Sequence, residues 1–186
     1  QSRMVHFELN VNPKDWVAWA HENEIDYRVP AYINFKPGML HNFDPSHDDV
    51  TFPCPRTWEF VSKLIVGDKD IPSGKIATLA GSIGEGAARE FFTFCEIFKS
   101  LPTLEQILAN PEGYPIPDEP SVQFALVGMI THNIDKSTAK ALVQFMRRLP
   151  VEFFIISIRD IVKRKRSLLQ NAEIQKCVTE LSRELM

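Results

Sequence analysis

The sequence has little cysteine, no long apolar run and no marked excess of charge of either sign. Three cysteines occur in 186 residues, Cys54, Cys95 and Cys177, and no two of them form a C-x-x-C pair. Their number and spacing disfavour a disulfide framework and a zinc knuckle. The three thiols are expected to be small apolar side chains in a reducing compartment.

No apolar run of 18 residues and no signal peptide is present, so we expect a soluble, cytoplasmic protein without a membrane partner. The net charge of −3 and the pI near 6.0 argue against a protein that coats nucleic acid. Residues 1–50 carry four Lys or Arg against eight Asp or Glu, whereas residues 151–186 carry seven against five. Any basic surface is therefore expected to be local.

Strand signals are almost confined to one segment. Val5, Phe7, Leu9 and Val11 alternate with polar residues, which predicts a half-buried strand. A lone strand is not stable. Because the chain begins at Gln1 and enters this pattern at once, we expect a piece of a longer protein.

The rest of the chain predicts helices. Asn12 and Pro13 form a helix start, and helical periodicity, caps and breakers predict further helices. These cover 30–35, 55–66, 73–82, 84–99, 103–110, 121–133, 136–149, 151–166 and 171–185. A long connection at 111–120, rich in Pro, Glu, Gly and Asp, is the best candidate for an internal boundary. The fold class expected is all-α, with nine or ten helices after one short N-terminal β-strand.

The segment 51–61 contains the main candidate for a functional site. Pro53 and Pro55 predict a helix start, and Trp58 and Val61 begin an apolar face of that helix. Arg56 then lies in the first helical turn. A rigid guanidinium beside free helix N–H groups can recognise an anion, whereas the simpler interpretation is a solvated arginine at a helix start.

Two glycine-containing segments resemble phosphate-binding motifs only in part. At Ser73-Gly74-Lys75 the phosphate-loop pattern fails, because Lys69 stands where a glycine is required and Ile76 where Ser or Thr is required. The segment 81–86 has the glycine content of a dinucleotide-binding turn, but no apolar strand precedes it. Packing between helices is the favoured use of its glycines.

Two clusters of charged or metal-ligating residues have alternative explanations. His41, His47 and three nearby aspartates, at 44, 48 and 49, lie in one loop and suggest a metal site, although their spacing fixes no geometry and a solvated loop is favoured. The basic run 163–166 complements a helix C-terminus, and a patch for nucleic acid or an acidic partner is the alternative. No metal site is predicted.

Several unusual strings of this chain occur in an order typical of one family. They are SRMVHFEL at 2–9, DWVAWA at 15–20, FKPGMLHNFDP at 35–45, FPCPRTWEFV at 52–61, IGEGAAREF at 83–91, LVG at 126–128 and RLPVEF at 148–153. Together they resemble the C-terminal part of MoxR-like AAA+ ATPases, in the branch common in bacteria and phages. The resemblance covers most of the chain.

The resemblance implies a division into three regions. Residues 1–11 would hold the last strand of the upstream α/β nucleotide-binding core, 12–66 the helical lid and 67–186 a C-terminal helical extension. The Walker A lysine and the Walker B acid of such ATPases would lie upstream. ATP and Mg²⁺ are thus expected in the full-length parent, an ATP hydrolase, whereas this fragment alone should neither bind them nor hydrolyse ATP.

The resemblance also assigns roles to two arginines. Arg56 matches the sensor 2 residue of the lid, which contacts the γ-phosphate of the nucleotide. Arg3 matches an arginine before the final core strand, which acts as a finger toward the ATP of a neighbouring subunit. The sequence departs from the family at Cys54, where Ser or Thr is more usual, and at Ser2, where Asn or Asp is more usual.

Implied partners are the upstream core, neighbouring subunits of a ring, often a hexamer, and a protein with a von Willebrand factor A domain. The expected function is to couple ATP hydrolysis to remodelling of a protein partner. The alternative is a stand-alone helical module that binds a protein through its aromatic or basic surfaces, without nucleotide chemistry.

Overall fold

A computed structural model describes residues 4–5, 10–44, 46 and 50–184 of the chain. Within them the fold is all-α. The α-helices are α1 (Pro13–Glu22), α2 (Arg28–Phe35), α3 (Pro55–Ile65), α4 (Ile76–Ile83), α5 (Glu85–Ile97), α6 (Leu104–Ala109), α7 (Pro120–Asn133), α8 (Ala139–Met146), α9 (Val151–Arg164) and α10 (Ala172–Glu184). Short 3-10 helices cover Pro37–Leu40, Ser73–Lys75, Phe98–Ser100 and Arg166–Gln170. The predicted all-α body is confirmed.

The predicted N-terminal strand is not supported. Residues 1–3 and 6–9 of that segment lie outside the described part of the chain, and the described residues at 4, 5, 10 and 11 are not in a strand. Val5 is 78% exposed and Val11 is 43% exposed. The alternation of apolar residues alone does not make a strand, because a strand needs a hydrogen-bonded neighbour and the described residues provide none.

Two helix starts follow the sequence signals. Asn12 caps α1, since its Oδ1 accepts from the backbone N–H of Lys14 at 3.0 Å and Pro13 follows as the first helical residue. Thr103 and Gln106 form a capping box at the start of α6, with bonds of 2.9 and 3.3 Å between each side chain and the other backbone N–H. Both predicted starts are confirmed.

The start of α8 differs from the sequence prediction. The sequence predicts a helix from residue 136, but α8 begins at Ala139. Asp135 instead holds a turn: its Oδ1 accepts from the hydroxyl of Ser137 at 2.6 Å and from the N–H of Thr138 at 2.9 Å. These bonds lower the pKa of Asp135 to about 2, since they stabilise the carboxylate.

The helices enclose two apolar cores. The first is built by α1 to α5 and by Ala125 of α7, and its buried residues run from Trp16 to Cys95. The second runs from Ile107 to Leu181 and is built by α6 to α10. The first core therefore continues across residue 66, so that α4 and α5 pack with the helices of the predicted lid. The three-region division from the resemblance remains a prediction.

Aromatic rings fill the centre of the first core. The ring of Tyr32 lies 5.4 Å from each of the rings of Trp58, Phe91 and Phe94. All four side chains are buried. The aromatic stripe of α5 is thus part of the core, where aromatic pairs of this geometry stabilise the fold beyond their buried area.

The two halves of the molecule pack against each other through α1 and α2 on one side and α7 and α9 on the other. Gly128 permits the close approach of α7 to α2, because a Cβ at this position would lie 2.8 Å from the Cβ of Ala31. Within the described residues, none of the helices combines the length and the apolar character needed to cross a bilayer.

Candidate functional site: the Arg56 face of helix α3

Helix α3 is fixed in the first core by one of its faces. Trp58, Val61 and Ile65 are fully buried, and the indole Nε1 of Trp58 donates to the carbonyl oxygen of Met39 at 2.7 Å. The tryptophan ring also packs edge-on against Phe91, with centroids 5.4 Å apart. The predicted apolar face of this helix is confirmed, and it fixes the direction in which the opposite face points.

Arg56 lies on that opposite face and is exposed. Its guanidinium lies over the ring of Phe60, 5.6 Å from the centroid. In the part of the chain that the structure describes, no carboxylate forms an ion pair with Arg56. Its nearest acidic neighbour along the exposed stripe, Glu59, pairs with Lys63 at 2.6 Å instead. The five N–H donors of Arg56 are therefore available to an external acceptor.

The surface around Arg56 is aromatic. Trp16, Trp19, Pro55, Arg56 and Glu59 line a shallow depression of about 230 Å³. The two indole rings stand 6.1 Å apart at 40°. Trp16 is nearly buried, whereas Trp19 and Phe60 are each 40% exposed. The guanidinium thus has an aromatic contact with Phe60, which does not neutralise its charge.

The N-terminal end of α3 is fixed by a local hydrogen bond. The backbone N–H of Cys54, the N-cap residue, donates to the hydroxyl of Thr57 at 2.8 Å, and Pro55 follows as the first helical residue. Thr57 therefore orders this turn although cysteine replaces the usual Ser or Thr at the cap. The positive end of the helix dipole and Arg56 lie at the same end of the helix, which favours an anion there.

Some of the other predicted site residues lie outside the described part of the chain, and the rest have local contacts. Arg3 lies outside the described residues, as do His47 and the aspartates at 48 and 49. His41 packs edge-on against the ring of Phe52, and Asp44 accepts hydrogen bonds from Ser46. Among the residues that the structure describes, no three His, Cys, Asp or Glu side chains are gathered in a way that could hold a metal ion.

The glycine segment 81–86 forms the junction between α4 and α5. Gly84 has φ of +82°, and a Cβ at this position would lie 3.1 Å from the backbone oxygen of Thr51. Gly84 thus allows both the sharp turn between the helices and the close approach of the 50–54 segment. A Cβ at Gly81 or Gly86 would meet nothing within 4 Å, so the close packing between helices expected for these glycines is not seen.

The basic run 163–166 lies beside a cleft of about 780 Å³, where the C-terminal ends of α1, α3, α7 and α9 meet. Cations in the cleft bind carbonyl groups that follow these helices. Arg164 Nη2 donates to the oxygen of Ile25 at 2.9 Å, and Lys165 Nζ donates to the oxygen of Ile134 at 2.6 Å. The basic run thus lies at the C-terminal end of α9 as predicted, but Arg164 and Lys165 bind carbonyl groups that follow α1 and α7 rather than those of α9.

Arg28 has the same role for helix α3. Its Nη2 donates to the carbonyl oxygen of Ile65 at 2.9 Å, and its Nε and Nη2 each bind the carboxylate of Asp26 at 2.8 Å. Although burial alone would lower the pKa of Arg28, these bonds to Asp26 raise it. The backbone N–H of Asp26 donates to the Ser62 hydroxyl at 2.8 Å, so the C-terminal half of α3 is held at two points.

Sequence reasoning missed a polar cluster between the two halves. His21, Asp160 and Arg164 meet there, and His132 lies at its edge. Two signals were present: His21 follows Val17 by four residues on the buried face of α1, and Asp160 follows the buried Ser157 by three on α9. A polar residue at a buried helical position requires a partner, which the sequence alone does not identify.

Comparisons with known proteins identify no family for this chain. No protein-family model matches the chain, and no curated protein and no solved structure is significantly similar to it.

Proposed function

We propose that this chain is the helical lid and C-terminal helical extension of a MoxR-like AAA+ ATPase, and that Arg56 is its sensor 2 residue. In this proposal an upstream α/β core of the parent protein supplies the Walker A and Walker B residues and holds ATP and Mg²⁺. Arg56 contacts the γ-phosphate, and loss of that contact on hydrolysis lets the lid rotate and drive remodelling of a protein partner.

The observation that carries the proposal is the state of Arg56. Its side chain is exposed, and no carboxylate of the described residues neutralises it. It is borne by a helix whose other face is fixed through the fully buried Trp58. A guanidinium in such a position can bind phosphate oxygens with two parallel hydrogen bonds and little loss of side-chain entropy.

The helix dipole adds a second argument. A cation in the first turn of a helix is repelled by the partial positive charge of that end. A phosphate group would reverse this disadvantage, because it would be attracted by the guanidinium and by the helix end together. An anionic ligand would therefore make the electrostatic energy of Arg56 at this helix end favourable.

The exposed apolar side chains support a docking surface in the N-terminal third of the chain, where two of them, Trp19 and Phe60, lie beside Arg56. Of nine large apolar side chains that are exposed in the described part of the chain, seven lie between residues 4 and 60. They are Met4, Val5, Val11, Trp19, Phe43, Val50 and Phe60. Within this proposal, the upstream core is the partner that covers the surface around Trp19 and Phe60.

The test is ATP turnover by the full-length parent protein with Arg56→Ala. We expect a fall of about 30- to 1000-fold, since a contact with transferring phosphate charge stabilises the transition state by roughly 2–4 kcal/mol. Arg56→Lys should recover only part of the activity, because lysine keeps the charge but lacks the planar fork.

The matched control is Arg89→Ala. Arg89 is an exposed arginine on α5 that pairs with Glu85 at 2.7 Å, one helical turn away. Its removal should leave turnover within about twofold of wild type, since it changes the same net charge away from the proposed site. A loss of only a few-fold in Arg56→Ala, or an equal loss in both variants, would reject the sensor role.

For Arg3 the proposal predicts action across subunits. Arg3→Ala subunits are to be mixed with subunits in which the Walker A lysine is replaced. Mixed rings should regain turnover, because an intact ATP site of one subunit then meets an intact arginine of its neighbour. If mixing restores nothing, Arg3 is not a finger that acts in trans.

A stand-alone interaction module is the second candidate. The same exposed Trp19 and Phe60 would suit a protein partner directly, since aromatic residues dominate protein interfaces. The coding sequence upstream of residue 1 distinguishes the two. An upstream G-x-x-x-x-G-K-[ST] motif followed by an acidic Walker B strand supports the ATPase, and its absence there supports the module.

A further inference from the structure

The polar cluster between the two halves places one guanidinium against two imidazole rings. Arg164 Nε donates to His21 Nδ1 at 3.2 Å, and Arg164 Nη1 lies 3.2 Å from His132 Nδ1. A third contact runs from Arg164 Nη2 to the oxygen of Ile25 at 2.9 Å. Arg164 on α9 thus holds the segment after α1 and the last turn of α7 at the same time.

These contacts depend on the Nδ1 atoms of both rings. A guanidinium can only donate hydrogen bonds, so it bonds to an Nδ1 that carries no proton. Protonation of the Nδ1 of His132 would place an N–H opposite the N–H of Arg164, with like charges about 3 Å apart.

His21 has a second charged neighbour, Asp160. Its side chain is buried, and its Nε2 lies 3.2 Å from Asp160 Oδ2 but has no partner in hydrogen-bond geometry. Asp160 is itself buried and is held by Arg159 and by Asn34, whose Nδ2 donates at 3.2 Å. His21 thus lies between Arg164 and Asp160 on the buried side of the cluster.

His132 lies at the edge of the cleft, exposed on one side and stacked on Tyr27 on the other, with ring centroids 4.5 Å apart. Burial of the stacked face, followed by Arg164 and Lys165, lowers the pKa of His132 below its ordinary value of 6.5. The charged and titratable groups that face the two rings are Asp160 and Arg164 for His21, and Asp26, Tyr27, Arg28, Arg164 and Lys165 for His132.

We propose that Arg164, His21 and His132 form an acid-sensitive latch between the two halves: protonation of His132 expels Arg164 and loosens the contact of α1 with α9. The latch uses only contacts within the chain, so it stands independently of the ATPase proposal. The neutral form of His132 stabilises the closed latch above pH 6.5. This stabilisation is lost as the pH falls from 6.5 through the lowered folded-state pKa.

The test is hydrogen exchange of the Arg164 side-chain Nε–H in the whole chain, followed by NMR as a protection factor relative to free arginine at each pH. We expect protection to fall at least tenfold between pH 7.5 and pH 5.5. In the variant His132→Asn, protection should stay constant over this range, because asparagine keeps an acceptor near the Nδ1 position but does not titrate.

His41→Asn is the matched control, because His41 contacts Phe52 and not Arg164. It should show the wild-type loss of protection. Constant protection in the wild type, or an equal loss in His132→Asn, would overturn the latch. Should this variant not fold, the ¹⁵N shifts of the wild-type His132 imidazole decide: a protonated Nδ1 at pH 7.5 rejects the proposal, and an unprotonated Nδ1 supports it.

Discussion

Arg56 and Arg164 lie at opposite ends of their helices, and their surroundings differ accordingly. Arg164 is the last residue of α9, where three hydrogen-bond acceptors surround its guanidinium. Arg56 is the second residue of α3, where it is exposed and only a phenylalanine ring contacts its charge. The helix dipole favours a cation at the C-terminal position of Arg164 and disfavours one at the N-terminal position of Arg56.

The fold itself explains the position of Arg164 but not that of Arg56. Burial lowers the pKa of Arg164, and its partners are groups that would otherwise lack a donor. Arg56 satisfies no group of the described chain. The proposed sensor role would give Arg56 a partner, whereas Arg164 already has its partners within the chain.

The largest effect on stability is expected in the first core, which holds α3. Trp58→Ala should reduce the free energy of unfolding by about 3–5 kcal/mol, because it removes a fully buried indole and its bond to Met39. Trp19→Ala, the control on the exposed face, should cost less than about 1 kcal/mol. Urea denaturation measures both, and similar losses in the two variants would show that Trp58 does not anchor α3.

A smaller effect is expected at the cleft. Arg164→Met should cost about 1–3 kcal/mol at pH 7.5, since the Ile25 carbonyl and the His21 Nδ1 would each lose their donor. Urea denaturation with an unchanged m-value would attribute the loss to stability. A cost below about 0.5 kcal/mol would mean that water replaces Arg164, and the contrast with Arg56 would then disappear.

The smallest effect is expected at Arg56. Arg56→Gln should change stability by less than about 0.5 kcal/mol, because relief of the unfavourable dipole interaction opposes loss of the contact with Phe60. The same denaturation series, repeated at low and high salt, checks this result. A destabilisation above 1 kcal/mol would show that Arg56 has a structural role that its exposed position does not reveal.

The sequence predicted the helices and the core face of α3 well, because these depend on local signals. Asn12, Thr103 and the proline at 55 mark helix starts by their own chemistry, and Trp58 lies at helical spacing from other apolar residues. The N-terminal strand failed for the opposite reason, since a strand depends on a partner that no local pattern specifies.

The cleft could not be predicted, because it depends on which helix ends meet. His21 and Asp160 are separated by 139 residues along the chain, and only the packing of α1 on α9 brings them within 3.2 Å. The basic run was correctly assigned to helix C-termini. However, Arg164 and Lys165 bind carbonyl groups that follow other helices, α1 and α7, rather than those of their own.

The most direct test of the role of Arg56 is the preference of the full-length parent protein for a non-hydrolysable ATP analogue over ADP. If Arg56 contacts the γ-phosphate, Arg56→Ala should weaken binding of the analogue by about tenfold or more and leave ADP affinity nearly unchanged. An unchanged ratio of the two affinities, with either both or neither reduced, would contradict the proposed sensor.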